Sequence, residues 1–515
     1  MYPVAPPAGR FAPANPWFPD LALVFAFLTL FYCLFVFNGW QQLFRDSDTG
    51  WHIRTGERIL TTYHLPTSDP YSFTRAGERW FAWEWASDVV MAWAHRIGGL
   101  SGVALLYALA IASATYLWVH LNWESGAEFL VVCATAMPML STVNLHWLAR
   151  PHVFGWLFLM ATVWFALRRP AAVSTRSVCF VAALSIAWTN MHASFFLLPF
   201  VLVLVAVGDW LEQVLFDRAD VSRTGGLMAL AAVAGVASLV NPYGWQVHAH
   251  VARYLMDSEL ISRIGEFQSF NFHAGGAWQI VLMVGIVALG GTLALTQGRL
   301  GHFLLIAFLF VLALRSARGL PILALVALPL ANGALSAGIR GGLELRAVWR
   351  ERIAQAIAYS QGLRRIDQRM SGYLMVPVVL VLTMLAARGV ASSAGFPADQ
   401  FPVQAAGSEA MSALPLTARI LAPDKFGGYL IYRFDGSRKV FFDGRSDFYG
   451  SEFMKRYIRL VEVRPGWREE FAAWKFTHAL LPNQYSLIPA LQQTGWKSIY
   501  RDNVATLLAK EGASE

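Results

Sequence analysis

Two aspartates at i and i+2 open the segment Arg45-Asp46-Ser47-Asp48-Thr49-Gly50-Trp51-His52-Ile53-Arg54, which directly follows an apolar run. On an extended backbone, alternate side chains share a face. The pair can then hold a divalent cation such as Mg or Mn, or one carboxylate can act as a general base. The same spacing also suits a helix start, with Asp48 as the cap of a helix over 49–60 and Asp46 in solvent. Further polar groups stand at the ends of apolar segments: Glu84 within Trp83-Glu84-Trp85, Arg150-Pro151-His152, Asn190-Met191-His192, Asn241-Pro242, Glu266, Arg315 and Arg318. Ionisable groups at such positions are costly and mark functional candidates. Singly, each has a plainer role. The histidines suit a core, Asn241-Pro242 suits a helix stop, Arg150 suits an ion pair and Arg315 and Arg318 suit snorkelling to an interface. The candidate site comprises Asp46 and Asp48 as catalytic or metal-binding groups. His52, Arg54, Glu84, Arg150, His152, Asn190, His192, Glu266, Arg315 and Arg318 are the candidate substrate-binding groups.

The composition states what must position them. The chain has 515 residues, 56% of them hydrophobic and only 14% charged, against roughly 25% charged in an ordinary soluble domain. Its mean hydropathy is +0.44. So much apolar surface needs a bilayer as its second solvent. A cytosolic enzyme, a disordered chain and a disulfide-built secreted domain are excluded. Three scattered cysteines, Cys33, Cys133 and Cys179, make neither a disulfide framework nor a metal site.

Eleven apolar segments read as membrane spans: 19–40, 100–121, 127–148, 152–168, 177–190, 193–212, 226–240, 277–296, 301–315, 319–338 and 371–390. Residues 1–18 form a proline-rich tail before the first span, which is too long for a signal-peptide core. Orientation follows from arginine. The 340–371 loop carries Arg340, Arg346, Arg350, Arg352, Arg364, Arg365 and Arg369, so it is expected in the cytoplasm. Arg299, Arg218, Arg223, Arg168, Arg169 and Arg176 then fall on the same side, as does the N-terminus. The net charge of +8 thus reads as topology, with no nucleic-acid partner. The candidate site residues fall at the opposite, outer ends of the spans.

Loop 41–99 reads as two interfacial helices joined by the turn-rich Pro66–Thr74 stretch, and 241–276 as a second outer loop. Residues 391–515 have the size and charge of a small α/β domain outside the cytoplasm. Strands are expected at 429–432, 440–442 and 478–482, helices at 404–413, 451–462 and 466–475, and a hairpin at 496–509. Asp443-Gly444-Arg445 reads as a strand end, a turn and an arginine paired with an acid, or else as an acceptor-binding motif.

The set Asp46-x-Asp48-x-x-Trp51-His52-Ile53-x-x-Gly56, Asp69-Pro70-Tyr71-Ser72-Phe73-Thr74, Trp83-Glu84-Trp85, Arg150-Pro151-His152 and Trp188-x-Asn190-x-His192 resembles a family of polytopic bacterial proteins. The likeness continues through Asn241-Pro242-Tyr243-Gly244, Glu266-Phe267, Gly427-Gly428-Tyr429-Leu430-Ile431 and Asp443–Gly450. That family is grouped with the GT-C superfamily of membrane glycosyltransferases. The resemblance implies a mainly α, polytopic membrane protein of the bacterial inner membrane with a periplasmic α/β tail. It also implies transfer of a sugar from a polyprenyl-phosphate-linked donor to a glycan, lipid or protein acceptor. Asp46 or Asp48 would be base or metal ligand, and Arg315 or Arg318 would face the lipid phosphate. A transporter or flippase of lipid-linked saccharides and a non-catalytic envelope assembly subunit are the rival readings.

Overall fold

The computed structural model describes residues 15–168, 173–217, 221–341, 346–390 and 395–510. The proline-rich segment up to residue 14, Arg169 and Arg218 lie outside them. Helices of eight or more residues are numbered here in chain order. In the first part these are α1 Leu21–Phe35, α2 Asp48–Thr62, α3 Trp85–Ser125, α4 Phe129–Val143, α5 His152–Leu167, α6 Thr175–Met191 and α7 Leu197–Phe216. There follow α8 Val221–Ala237, α9 Trp245–Met256, α10 Trp278–Thr296, α11 Leu300–Arg315, α12 Gly319–Arg340, α13 Ala347–Asp367 and α14 Met375–Val390.

A helix stands at every one of the eleven apolar segments. Among the described residues, five stretches are long and apolar enough to cross a membrane: Trp85–Ser125, Phe129–His146, Ala193–Phe216, Trp278–Thr296 and Gly319–Arg340. Others are shorter than their apolar runs. The 19–40 run yields a helix only to Phe35, because Val36 is extended and Phe37 and Asn38 take left-handed backbone. α3 breaks at Gly98-Gly99, where Gly99 has φ +58°. The break separates a surface arm starting at Trp85 from the long apolar rod beyond it. α12 is the best buried of the five and carries a π turn at Leu323–Ala327. Such a turn leaves the regular hydrogen-bond ladder, and the Trp118 indole donates to the Ala324 carbonyl (3.1 Å).

The tail holds α15 Asp424–Arg433, α16 Ser446–Val461 and α17 Trp467–Trp474. Its strands are β1 Ile420–Leu421, β2 His478–Pro482, β3 Trp496–Arg501 and β4 Ala505–Lys510. They form one sheet in the order β1-β2-β4-β3, parallel between β1 and β2 and antiparallel elsewhere. Two of the expected strands are not there. Residues 429–432 lie in α15, whose buried Tyr429, Leu430 and Ile431 continue the apolar face begun by Phe426. An apolar run of four cannot by itself distinguish a strand from one buried helical turn. Residues 440–442 stay outside the sheet and pair with the first loop instead: the Val440 amide donates to Tyr71 O (3.0 Å) and the Phe73 amide donates to Val440 O (3.1 Å).

Tail and helices share one core, in which Phe396, Phe401, Leu430 and Val440 pack with residues of α1, α3 and α12. α2 is the hinge plate of this packing. A Cβ at Gly50 would lie 2.3 Å from the Gly428 carbonyl oxygen of α15, and one at Gly56 would lie 1.9 Å from the Asp88 carbonyl oxygen of α3. Only hydrogen fits at either position. Beside it, the Arg445 guanidinium donates to Asp443 (2.7 and 2.8 Å) and to Asp69 of the first loop (2.8 Å), and the Tyr449 hydroxyl donates to Asp443 (2.9 Å). The three charged groups are buried. Two carboxylates hold the one guanidinium, and Trp80 covers it at 4.6 Å.

Removing one member of such a buried cluster leaves charges unpaired, which costs about 3–5 kcal/mol. Arg445→Met should therefore lower the thermal unfolding midpoint sharply in detergent. Asp443→Asn combined with it should add much less than its own single effect. An unchanged midpoint for Arg445→Met would show that the cluster does not hold the tail to the loop.

Candidate active site

The backbone after α1 is neither extended nor a plain capped helix. The Asp48 amide donates to Asp46 Oδ1 (2.9 Å), so the chain turns tightly between the two acids. α2 then begins at Asp48, with Ser47 at its cap position. The turn carries both carboxylates over Arg150, which sits in the short link between α4 and α5. That link is pinned twice: the Ala149 amide donates to Leu43 O (2.8 Å), and the Thr49 hydroxyl donates to Ala149 O (2.9 Å). Arg150 Nη1 then lies 2.8 Å from Asp46 Oδ2 and 3.1 Å from Glu266 Oε1, and its Nη2 lies 2.6 Å from Asp48 Oδ2. Arg318 bonds the other oxygen of Glu266. The tail reaches the same point. A Cβ on Gly444 would sit 1.8 Å from Asp48 Oδ1, so only glycine lets the 443–447 segment lie here.

These groups border a cavity of about 290 Å³. Its polar end is lined by Asp48, Glu84, Arg150, His152, His192, Glu266 and Arg318, with Ser446 and Asp447 from the tail. Further along the helices the lining turns apolar, from His152 to Trp156 and Leu159 on α5, from Ser316 back to Leu312 and Phe308 on α11 and from Arg318 to Ile322 on α12, with Phe196 and Leu197 at the start of α7. Asp46 stands just behind Arg150. Behind Glu84, the His52 Nδ1 is 2.6 Å from Asp88 Oδ1, while its Nε2 points to Glu84 at 3.7 Å. His192 approaches Glu84 from the other side, at 3.6 Å.

The electrostatics divide the carboxyls into two kinds. Burial pushes Asp48 up to about 7 against the pull of Arg150, and pushes Glu84 up to about 8. Burial acts on Glu266 in the same sense, but Arg318 and Arg150 outweigh it and hold that carboxyl well below its usual range. Burial also depresses the His52 imidazolium, so the ring is neutral at pH 7.

Three of the sequence candidates stand elsewhere. Arg54 lies six residues after Asp48 on α2, about 120° away round the helix. It bonds Glu57, Asp435 and the Tyr432 carbonyl, tying α2 to the end of α15. Arg315 is exposed at the end of α11; Ser316 is extended, so Arg315 and Arg318 do not share a helical face. Asn190 braces the wall from behind, accepting from the Trp85 indole (2.8 Å) and donating to Val240 O (2.9 Å). Sequence reasoning missed Asp88, Tyr254, His146 and Ser316. Asp88 is one polar residue in a long helix, and Tyr254 reads as an ordinary aromatic; neither gives a sequence signal.

In this structure the Asp46–Asp48 pair is turned to Arg150 rather than to a shared cation position. Asp46 spends one oxygen on the Asp48 amide and the other on Arg150, and Asp48 also turns an oxygen to Arg150. Among the described residues no group of three or more His, Cys, Asp or Glu side chains is placed to hold a metal.

No family model and no curated protein matches the chain by sequence. Solved structures do match. The oligosaccharyltransferase of Archaeoglobus fulgidus in its apo form superposes with a TM-score of 0.56 at 10% identity, over 90% of this chain and 69% of that one. Archaeal oligosaccharyltransferase AglB from Archaeoglobus fulgidus, in complex with an inhibitory peptide and a dolichol-phosphate, gives 0.55 at 11% identity, over 90% and 69%. ArnT from Cupriavidus metallidurans, bound to undecaprenyl phosphate, gives 0.49 at 16% identity, over 96% and 98%. The chain shares its fold with these oligosaccharyltransferase structures.

Arg150→Ala would leave Asp46, Asp48 and Glu266 facing one another without their shared cation. That variant should bind Mn²⁺ more tightly than the wild type, detectable by electron paramagnetic resonance. Stoichiometric Mn²⁺ on the wild type would mean that the guanidinium yields its place.

Proposed function

We propose that this protein is a membrane glycosyltransferase that moves a sugar from a polyprenyl-phosphate-linked donor to an acceptor outside the cytoplasm. The observation that carries the reading is the two-ended cavity. Its apolar end offers a prenyl chain a lining without charge, and its polar end offers a phosphate two guanidiniums and an acceptor hydroxyl a buried carboxylate. The fold is that of an oligosaccharyltransferase, one of whose relatives holds a dolichol-phosphate, which supports a lipid-linked donor here.

The chemistry follows from the residues. An acceptor hydroxyl gives its proton to Asp48 as its oxygen attacks the anomeric carbon. The bond from that carbon to the phosphate oxygen breaks, and its electron pair leaves with the phosphate. Arg150 and Arg318 face the charge that gathers there. Asp46 holds Arg150 in place. Glu84, protonated at neutral pH, is a hydrogen-bond donor to a sugar oxygen. The aromatic wall of Trp51, Trp80 and Trp83 offers flat faces for a sugar ring.

Purified protein should deplete a polyprenyl-phosphate sugar donor, and Asp46→Asn/Asp48→Asn should lose at least about a hundredfold in rate. Asp48 acts only when ionised and Glu84 donates only when protonated, so kcat/KM should rise with pH through about 7 and fall again above about 8. Asp48→Asn should remove the rising limb. Equal turnover by wild type and the double variant would end the catalytic role of the two aspartates, and no turnover by the wild type would favour an assembly subunit.

We further propose that the membrane is the bacterial inner membrane, that the chain crosses it eleven times with the N-terminus and the 340–371 loop in the cytoplasm, and that 391–515 form a periplasmic domain. A periplasm-active reporter fused after Lys510 should be active, and one inserted near Arg350 silent. The reverse pattern would invert the topology.

A further inference from the structure

We infer that Glu266 is a specificity determinant within this site: its carboxylate occupies the seat of the substrate phosphate and discriminates against the dianionic lipid phosphate product in favour of the monoanionic donor. The inference rests on the polyprenyl-phosphate reading above.

Glu266 alone among the cavity carboxylates touches both guanidiniums. One oxygen is 3.1 Å from Arg150 Nη1, and the other is bonded by Arg318. An anion bridging two cations at the edge of a cavity marks where another anion binds. The rest of the seat is rigid. Glu266 O accepts from the Ser316 hydroxyl (2.9 Å) and from the Arg318 amide (3.2 Å), so its backbone is fixed and only its side-chain torsions are free. The Arg318 guanidinium lies over the Phe267 ring at 4.5 Å, which keeps it in place when the carboxylate turns away. The Glu266 side chain is 29% exposed, with open cavity to turn into. Arg445, the remaining guanidinium on the wall, is committed to Asp443 and Asp69.

An incoming phosphate must therefore share the two arginines with a carboxylate that stays ionised, since those same arginines hold it well below its usual range. The donor is a phosphodiester with one negative charge. The product is a phosphate monoester, whose second proton leaves at a pKa of about 6, so it carries nearly two charges at neutral pH. Repulsion from Glu266 scales with ligand charge. It penalises the product more than the donor, and so speeds product departure and limits product inhibition.

The test uses the full-length protein in detergent, with farnesyl phosphate as monoester and methyl farnesyl phosphate as diester. Binding is read through the tryptophans of the cavity wall. Glu266→Gln should tighten the monoester about tenfold and the diester about threefold or less. Glu266→Asp keeps the charge but is too short to bridge both arginines, and should shift the ratio in the same direction by less. It serves also if the glutamine variant does not fold. Asp447→Asn removes one charge from the same wall, but Asp447 touches His250 (2.8 Å) rather than either guanidinium. It should shift the monoester-to-diester ratio by clearly less than Glu266→Gln does. Equal changes for both ligands in Glu266→Gln, weaker binding of both, or a ratio shift as large in Asp447→Asn would overturn the assignment. Wild type and variants that bind neither ligand would overturn the lipid-phosphate reading itself, and the inference with it. Wild-type binding with an unmoved ratio would count against Glu266 alone.

Discussion

The structure turns on one guanidinium. Arg150 stands in a link of a few residues between α4 and α5, and its three carboxylate partners come from both sides of it in the chain. Asp46 and Asp48 follow the first helix, and Glu266 comes from a loop more than a hundred residues later. A charge so far from bulk water is tolerated only when fully paired. Neither loop can move off without leaving that charge exposed to an apolar wall. The arginine thus fixes the positions of both loops over the helix ends, and through Gly444, packed against Asp48, it fixes the tail as well.

Arg445 shows what separates a structural ion cluster from a chemical one. Both arginines are bracketed by aspartates, and both lie near aromatic rings. Arg445 and its two partners are closed off, with side-chain exposures of 1% and 0%. Its guanidinium is held by two carboxylates, with hardly any surface left open to a ligand. Arg150 and Glu266 keep 16% and 29% of their side-chain surface open, and that surface faces the cavity. The same pairing chemistry serves the fold in one place. In the other it leaves a charged surface that an incoming anion can rearrange.

Much of this was legible in the sequence. Low charge and long apolar runs located a helix at each of the eleven segments. The clustering of Asp48, Glu84, Arg150, His152, His192, Glu266 and Arg318 at the ends of those runs anticipated one cavity wall. Pairing of Arg445 with an acid was also anticipated, although not that one of the acids would be Asp69, 376 residues away. What escaped depended on geometry that periodicity does not encode. A tight turn, rather than a strand or a capped helix, aims Asp46 and Asp48 at one arginine. Helical rotation carries Arg54 off the site, and an extended Ser316 parts Arg315 from Arg318. Residues 429–432 lie in a helix, α15, whose Gly428 packs against Gly50 of α2, a contact that no local apolar run encodes.

The cavity's polarity gradient also bears on transfer as against transport. A saccharide carried across the bilayer needs hydrogen-bonding partners along its whole route, because each hydroxyl left unpaired in an apolar wall costs a few kcal/mol. The polar end provides such partners densely. The end lined by Trp156, Leu159, Phe196, Leu197, Phe308, Leu312 and Ile322 offers a sugar hardly any beyond one indole N–H. A prenyl chain has the opposite requirement, and the same lining satisfies it without cost. On the proposed reading, a sugar and a phosphate would sit where Arg150, Arg318 and the carboxylates converge, and a prenyl chain would lie along the apolar lining. That division favours a protein that anchors a lipid and reacts its headgroup on one side over one that passes the headgroup through.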